Sequence, residues 1–174
     1  ETGGPDVYLV FEFAEGTPLD RLLARRGRLG WAEAVSAAGP VARALDYAHA
    51  KGVVHKDLKP SNVIFVNNTP KLADIGLVTD IGESLTFVGS EGYVPPEGPG
   101  KPTADIYGLG KVLYELVTGL EQNRYPHLPA NFDRLPEPAL RHKVFEIIRK
   151  ACEINHLRRY QNGREMYEIG RAHV

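Results

Sequence analysis

The sequence predicts an α+β fold that is mainly α-helical, with one short β-hairpin in its middle. Apolar residues recur at helical spacing in five segments, at 18–26, 31–51, 104–118, 138–152 and 162–170. Two apolar runs rich in β-branched and aromatic residues, at 7–13 and 63–66, predict buried strands. The turn signal Asn67-Asn68-Thr69-Pro70 then separates the second run from a short returning strand at 71–73, which predicts a hairpin.

The first two helices carry recognisable start and stop signals. Pro18 occupies a position that a first helical turn tolerates, and Thr17 before it is a possible N-cap. The second helix is the longest pattern, and Gly39-Pro40 should bend it or relax one of its turns. Gly52 fits the position just past its end, so this helix leads directly into the polar loop that follows.

The later helices are bounded in the same way. Gly119 should stop the third helix, and Asn162 with Glu165 three residues later resembles a capping box at the start of the last one. Residues 77–92 have no clear period and many polar residues, which predicts a long ordered or switchable loop. We expect one domain with a real core, because a chain of this length can bury most of its apolar surface.

Composition excludes several classes of function. With 43% hydrophobic and 25% charged residues and a net charge of -1, nothing marks a nucleic-acid or membrane binder. No apolar run approaches the length of a transmembrane helix, and no signal peptide is visible. The single cysteine, Cys152, favours a reducing compartment and is expected in the core, with a reactive thiol as the alternative. We therefore expect a cytoplasmic location, or the cytoplasmic face of a membrane if a spanning segment lies outside this chain.

The loop at 53–62 concentrates polar residues between two apolar segments. A loop of this kind is more often a site than a connector. Its order of residues, His55-Lys56-Asp57-Leu58 and then Asn62, resembles the catalytic loop of protein kinases, His-Arg-Asp-Leu-x-x-x-x-Asn. Lys56 replaces the usual Arg of that loop.

Four further stretches resemble the same family in the same order. Asp74-Ile75-Gly76 is similar to Asp-Phe-Gly, and residues 89–97 are similar to the end of an activation segment, Gly-Thr-x-x-Tyr-x-Ala-Pro-Glu. Residues 105–110 are similar to the opening of the family's central helix, and residues 11–16 to its hinge. The resemblance implies the large, C-terminal lobe of a kinase. Lys59 and Gly89-Ser90 resemble the Ser/Thr-specific branch. The Gly-Pro-Gly at 98–100 and the run at 109–115 look like the bacterial, eukaryotic-like kinases of that branch.

The resemblance implies ATP- and magnesium-dependent transfer of a phosphoryl group to Ser or Thr of a protein substrate. Asp57 would accept or orient the proton of the substrate hydroxyl, and Lys59 would spread the charge of the transferred group. Asn62 would ligate magnesium as part of the catalytic loop. Asp74 would hold magnesium that bridges the nucleotide phosphates, since magnesium prefers oxygen ligands.

The resemblance also implies contacts to the adenine of ATP. The carbonyl of Glu12 and the backbone of Ala14 would meet the adenine edge, with Phe11 as the gatekeeper. Ile64 would form part of the floor beneath the ring.

Other residues would have regulatory or structural roles. Lys56 would pair with a phosphate on the activation segment, as a weaker point charge than Arg. Thr86 is the expected acceptor of that phosphate, with two rivals, Thr79 and Ser84. The structural residues implied by the family are His55, Asp105 and the expected ion pair of Glu97 with Arg159.

The family's Gly-rich loop and its ATP-binding Lys and Glu should precede the hinge, whereas this sequence starts at Glu1, just before it. We expect that the chain begins inside a longer reading frame, or was processed. Residues 1–174 would then be a partial kinase domain, comprising the hinge strand within 7–16 and the large lobe, without the small lobe. We expect negligible kinase activity from the isolated chain.

Three alternatives remain at this point. The departures Lys56, Ile75 and Pro95 are compatible with a pseudokinase or scaffold that binds partner proteins without catalysis. A small-molecule phosphotransferase of related fold is a second alternative. A hydrolase triad of His55, Asp57 and Ser61 is a third, although a Ser in a Pro-Ser-Asn turn lacks a nucleophile elbow.

Overall fold

A computed structural model describes residues 15–74 and 89–172 of the chain. The part of the chain that it describes is mostly helical, with one small antiparallel sheet, as predicted. In chain order the elements are β1 (Thr17–Pro18), α1 (Leu19–Arg26), α2 (Trp31–Ala50), β2 (Val63–Val66), β3 (Thr69–Leu72), α3 (Pro102–Thr118), α4 (Pro138–Ala151) and α5 (Gly163–Arg171).

Helix α3 is the centre of the hydrophobic core. Nearly all of its side chains are buried, and those of Ile106 and Leu109 are fully so. Helices α2 and α4 pack against it, and α2 also contacts α5 and β3. Each large apolar side chain buried in this way contributes about 1.5–3 kcal/mol to folding. The residues that surround α3 therefore fix its position, and with it the position of the polar residues that it carries.

The three strands form one sheet in the order β1-β2-β3, with antiparallel pairing throughout. The predicted hairpin is present, but its turn is shorter than predicted. Only Asn67 and Asn68 form the turn, with φ values of 49° and 62°, a region that Asn tolerates better than most residues. Thr69 and Pro70 already belong to β3, where the edge position of the strand tolerates a proline.

Two predicted helix boundaries need correction. Helix α1 begins at Leu19, because Thr17 and Pro18 pair with β2, and Pro18 rather than Thr17 occupies the N-cap position. Helix α3 begins two residues earlier than predicted, with Pro102 in its first turn. Helix α2 runs on through Gly39 and Pro40.

Several end signals are confirmed. Gly52 follows α2 with a φ of 77°, and Gly119 ends α3 in the left-handed conformation. The side chain of Asn162 accepts a hydrogen bond from the backbone N–H of Glu165, so Asn162 is the N-cap of α5. The carboxylate of Glu165 accepts in return from the N–H of Gln161, one residue before the position of an ordinary capping box.

Cys152 lies at the end of α4, and only 4% of it is exposed. Burial raises the pKa of its thiol to about 12, so the thiol stays protonated and packs as a small apolar side chain. Within residues 15–74 and 89–172, we find no helix with the length and apolar character needed to cross a bilayer. The predicted strand at 7–13 lies outside the described residues.

Candidate active site

The polar loop lies between the end of α2 and the start of β2, so both elements fix its ends. Its last residues, Pro60–Asn62, form a short 3-10 turn in which the N–H of Asn62 donates to the carbonyl of Lys59. This turn changes the direction of the chain just before β2. Asp57 and Lys59 precede the turn and belong to the half-buried part of the loop.

Asp105, in the first turn of α3, binds the backbone of the loop through its carboxylate. Its carboxylate accepts hydrogen bonds from the N–H of His55 at 2.8 Å and from the N–H of Lys56 at 2.9 Å. Lys56 has a φ of 72°, an unfavourable region for a residue with a side chain. The two hydrogen bonds that these N–H groups donate to a carboxylate that is 2% exposed offset that cost, so the turn at Lys56 is fixed by α3.

His49 is a third partner of Asp105 that sequence reasoning did not identify. Its Nε2 lies 2.7 Å from Oδ2 of Asp105, and its side chain is 8% exposed. A sequence signal for it exists, because His49 follows Leu45 by one helical turn and so lies on the apolar face of α2. A histidine at such a position needs a polar partner in the core.

His55 links the loop to the end of the hairpin. Its Nδ1 accepts from the N–H of Asp57 at 3.3 Å, which leaves Nε2–H to donate to the carbonyl of Ala73 at 2.8 Å. Both ring nitrogens are engaged within the fold. His55 is therefore not placed to act as the base of a hydrolase triad with Ser61.

The side chains of Lys59 and Ser90 meet at Asp57. Lys59 Nζ lies 2.7 Å from Oδ2 of Asp57 and donates to Oγ of Ser90 at 2.8 Å. Ser90 in turn donates to Oδ1 of Asp57 twice, from its N–H at 2.8 Å and from its hydroxyl at 2.7 Å. Ser90 was not among the predicted site residues, although its place in the Gly89–Glu97 motif was a usable signal.

This network keeps the Asp57 carboxylate ionised. Partial burial acts to raise its pKa, but the hydrogen bonds from Lys59 and Ser90 and the charge of Lys59 outweigh burial and lower the pKa. The side chains of Asp57 and Lys59 are 28% and 30% exposed, so an incoming group can still reach them. Asp57 is thus a carboxylate that is held in place and remains accessible.

Asn62 and Asp74 flank the open end of the hairpin, Asn62 just before β2 and Asp74 two residues after β3. The amide Nδ2 of Asn62 donates to the Asp57 carbonyl at 2.8 Å and, more weakly, to its carboxylate at 3.3 Å, which leaves Oδ1 as the atom suited to a metal. The N–H of Ala73 donates to the carbonyl of Asn62, so the exposed Asp74 follows directly beside it. An amide oxygen with a carboxylate fits the ligand preference of magnesium.

A cleft of about 430 Å³ opens beside Lys59. Its lining includes three carboxylates, those of Asp20, Glu115 and Glu121. Burial raises the pKa of the Glu115 carboxyl. Glu115 accepts hydrogen bonds from the hydroxyl of Tyr93 and from the backbone N–H of Gln122. The cleft adjoins the loop, because Lys59, Pro60 and Ser61 belong to its lining.

Glu97 and Arg159 form the ion pair that the sequence analysis expected. The guanidinium binds the carboxylate through both of its terminal nitrogens, at 2.5 and 3.0 Å. It also donates to three backbone carbonyls, those of Thr103, Glu153 and Ile154. The Arg159 side chain is fully buried, and that of Glu97 is 23% exposed.

Of the other predicted site residues, the structure describes Ile64. Ile64 lies in β2, the first strand of the hairpin, and is half-buried. Glu12, Ala14 and Thr86 lie outside the described residues.

Comparison with known proteins adds independent evidence. The model of the protein kinase domain family matches residues 3–156. The chain is 31% identical over 186 residues to a probable serine/threonine-protein kinase, CPE1738, of Clostridium perfringens, covering 91% of this chain and 26% of that protein. It is 35% identical over 126 residues to the serine/threonine-protein kinase PknA of Mycobacterium tuberculosis, covering 67% of this chain and 29% of PknA.

A third relative is the serine/threonine-protein kinase PknB of Mycolicibacterium smegmatis, 31% identical over 188 residues, with 94% of this chain and 30% of PknB covered. The chain thus spans less than a third of the length of each of these relatives. The match to the family nevertheless covers most of the chain, including the loop and the network around Asp57. The relatives that it matches are serine/threonine kinases of bacteria. The chain itself belongs to the protein kinase family.

Proposed function

We propose that this chain provides the catalytic lobe for transfer of the γ-phosphoryl group of ATP to a Ser or Thr hydroxyl of a protein. The observation that carries the proposal is the network at Asp57, in which Lys59 and Ser90 bind one accessible, ionised carboxylate. A binding module would need neither the accessible carboxylate nor the cation beside it. The cleft next to Lys59 supports a peptide as the acceptor.

Each residue of the network has a proposed task. Asp57 orients the acceptor hydroxyl and takes up its proton, while Lys59, whose Nζ reaches both Asp57 and Ser90, stabilises negative charge on the phosphoryl group. Ser90 holds Oδ1 of Asp57 in place through two donors. The carboxylate therefore enters the reaction with its orientation already fixed.

Asn62 and Asp74 are the proposed magnesium ligands, through the amide oxygen of the first and the carboxylate of the second. When bound, magnesium would neutralise charge on the phosphates of ATP. Ile64 would contact the adenine ring, together with the backbone of Glu12 and Ala14.

We further propose that residues 1–174 are part of a larger kinase domain, with the hinge within residues 7–16. The phosphate-covering loop and the ATP-binding Lys of the family have no counterpart in this sequence. The isolated chain should therefore show negligible turnover. We propose the cytoplasm as the compartment, since the thiol of Cys152 is unpaired and needs no oxidising environment.

The test uses the complete protein that contains this chain, with Asp57→Asn as the variant and Asp133→Asn, an exposed site in the loop between α3 and α4, as the control. We expect magnesium-dependent phosphorylation of a protein substrate on Ser or Thr, which Asp57→Asn removes and Asp133→Asn retains. Equal activity in both variants would refute the catalytic role of Asp57. Nucleotide-independent partner binding without any phosphotransfer would instead favour the scaffold alternative.

A regulatory proposal concerns Lys56 and Thr86. We propose that a phosphate on Thr86 pairs with Lys56, whose backbone is already fixed by Asp105. Phosphorylation of Thr86 should then raise the activity of the complete enzyme, and Thr86→Ala should lower it. Mass spectrometry combined with kinetics tests this, and equal rates for the wild type and Thr86→Ala would exclude it.

A further inference from the structure

A cavity of about 360 Å³ lies between helices α2 and α5. Its described lining includes no residue of the polar loop at 53–62. At its base lie Leu113 of α3 and Ile147 of α4, which are 1% and 4% exposed, so the cavity reaches the hydrophobic core. It is more than twice the size of an apolar cavity of about 150 Å³ that binds benzene in another protein, and its volume is typical of small-molecule sites.

The sequence of the two helices explains why the space is there. Gly39 of α2 and Gly170 of α5 line the cavity and have no side chain to fill it. A Cβ at Gly39 would lie 3.4 Å from the ring of Tyr167, and one at Gly170 would lie 3.4 Å from Val35. Pro40 of α2 also lines the cavity, and because it lacks an N–H, the carbonyl of Ser36 receives no helical hydrogen bond from it.

The charge at the cavity has one sign. Arg43 of α2 and Arg171 of α5 are both exposed and line it, and its described lining contains no Asp or Glu. The guanidinium of Arg43 lies 5.6 Å from the centre of the Tyr167 ring, which directs it along the wall of the cavity. An apolar interior next to two arginines suits a ligand with an apolar body and an anionic end.

We propose that this cavity binds a free single-chain fatty acid. The alkyl chain would contact Leu113, Ile147 and Met166, and the carboxylate would face Arg43 and Arg171. Apart from Tyr167, the apolar lining is aliphatic, which suits an alkyl chain better than an aromatic ligand. This site is independent of phosphoryl transfer, because its lining residues are separate from the network at Asp57.

Binding can be measured without any kinase activity. The chain has a single tryptophan, Trp31, which is buried in α2 one turn before Val35 of the cavity wall. A brominated fatty acid should therefore quench its fluorescence saturably, and laurate should raise the thermal unfolding temperature. Lauryl alcohol should bind more weakly than laurate, and dodecyltrimethylammonium should not bind measurably.

Two sets of variants separate the roles of charge and volume. Arg43→Gln with Arg171→Gln should weaken laurate about tenfold, the loss expected for a charge-assisted contact, and leave lauryl alcohol unchanged. The control is Arg21→Gln on the exposed face of α1. Ala38→Leu should fill the cavity and abolish binding of both ligands, whereas Ala139→Leu at an exposed site in α4 should not.

Several results would overturn the proposal. These are the absence of saturable laurate binding, equal binding of the cationic amphiphile, and unchanged laurate affinity in the arginine variant. The result for Ala38→Leu is interpreted only if circular dichroism shows that this variant is folded. If it is not folded, the variant with Arg43→Gln and Arg171→Gln, which changes only exposed side chains, tests the proposal. Binding to anionic lipid vesicles without binding of free laurate would assign the site to a membrane. Laurate-insensitive self-association through this face would assign it to a second copy of the chain.

Discussion

Two carboxylate–cation pairs in this molecule have similar chemistry and opposite surroundings. In the pair of Asp57 and Lys59, both side chains are more than a quarter exposed, and Lys59 lines an open cleft. In the pair of Glu97 and Arg159, the cation is fully buried, and every guanidinium nitrogen has a partner. The difference indicates that the first pair is available to a substrate, while the second holds the segment around residue 97 to the helical core.

The type of cation matches each environment. Lys59 is a point charge that can exchange Asp57 or Ser90 for a phosphate without losing a fixed geometry. Arg159 presents a planar set of donors that satisfies one carboxylate and three carbonyls at once. Substitutions in the first pair should therefore change the rate of reaction, and substitutions in the second should change the stability of the fold.

The largest effect is expected from Asp57→Asn in the complete protein. Phosphoryl transfer should fall about 10²–10⁴-fold, the usual contribution of a general base, because the amide cannot take up the proton. The free energy of unfolding should change by less than about 1 kcal/mol, since partly exposed ion pairs contribute little. Steady-state kinetics and urea unfolding measure the two effects. Large destabilisation with unchanged turnover would show that the pair of Asp57 and Lys59 stabilises the fold and has no part in the reaction.

Glu97→Gln should have the opposite profile. The change leaves the buried Arg159 without its charged partner, so the free energy of unfolding should fall by about 3 kcal/mol. Glu91→Gln, at an exposed position of the same segment, is the control and should be nearly neutral. Urea unfolding of all three proteins decides the point, and a loss below about 1 kcal/mol would contradict a structural role for the pair.

Acidification should weaken the same ion pair in the wild type. Burial acts to raise the pKa of Glu97, but the hydrogen bonds and charge of Arg159 outweigh it, and the pKa in the folded state lies below its ordinary value. The unfolded chain therefore binds more protons, so this contribution is present above about pH 4.3 and is lost as pH falls through the folded pKa. The urea midpoint should fall less on acidification in Glu97→Gln than in the wild type. Identical pH profiles would refute this linkage.

A smaller effect is expected at Ser90. Ser90→Ala removes the hydroxyl contacts to Asp57 and Lys59 but keeps the backbone N–H, so the cost should be about 1 kcal/mol, or roughly fivefold in kcat. Ser90→Thr retains a hydroxyl and should preserve most of the rate. If alanine and threonine behave alike, the hydroxyl has no part in holding Asp57.

Sequence reasoning predicted the elements well because their patterns are local. The helical periods, the hairpin, Gly119 and the cap at Asn162 can each be recognised within a few residues. The errors at Thr17 and Thr69 have a common cause, since both residues pair with β2, and pairing between strands is not visible in a single segment. A strand partner can shift a boundary by one or two residues without changing the pattern.

The site residues that belong to family motifs could be predicted from the sequence, whereas most contacts between them could not. The pairing of Glu97 with Arg159 spans 62 positions and was expected only from the family resemblance. The contacts of Ser90 to Asp57 and of His49 to Asp105 were missed. Local patterns single out Ser90 and His49, but no local spacing shows which residue each one contacts. The cavity between α2 and α5 could not be predicted either, since its volume depends on how the two helices approach each other.

The hydrogen bonds between Asp105 and the backbone of the polar loop have a consequence for the order in which the chain becomes structured. The backbone N–H groups of His55 and Lys56 donate their hydrogen bonds to a residue about 50 positions later in the chain. During synthesis the loop is therefore complete in sequence long before its partner leaves the ribosome, and the unfavourable backbone at Lys56 has no compensation until α3 has docked. Native-state hydrogen exchange should reveal this dependence, with the amides of His55 and Lys56 opening together with the first turn of α3 and not with the adjoining end of α2.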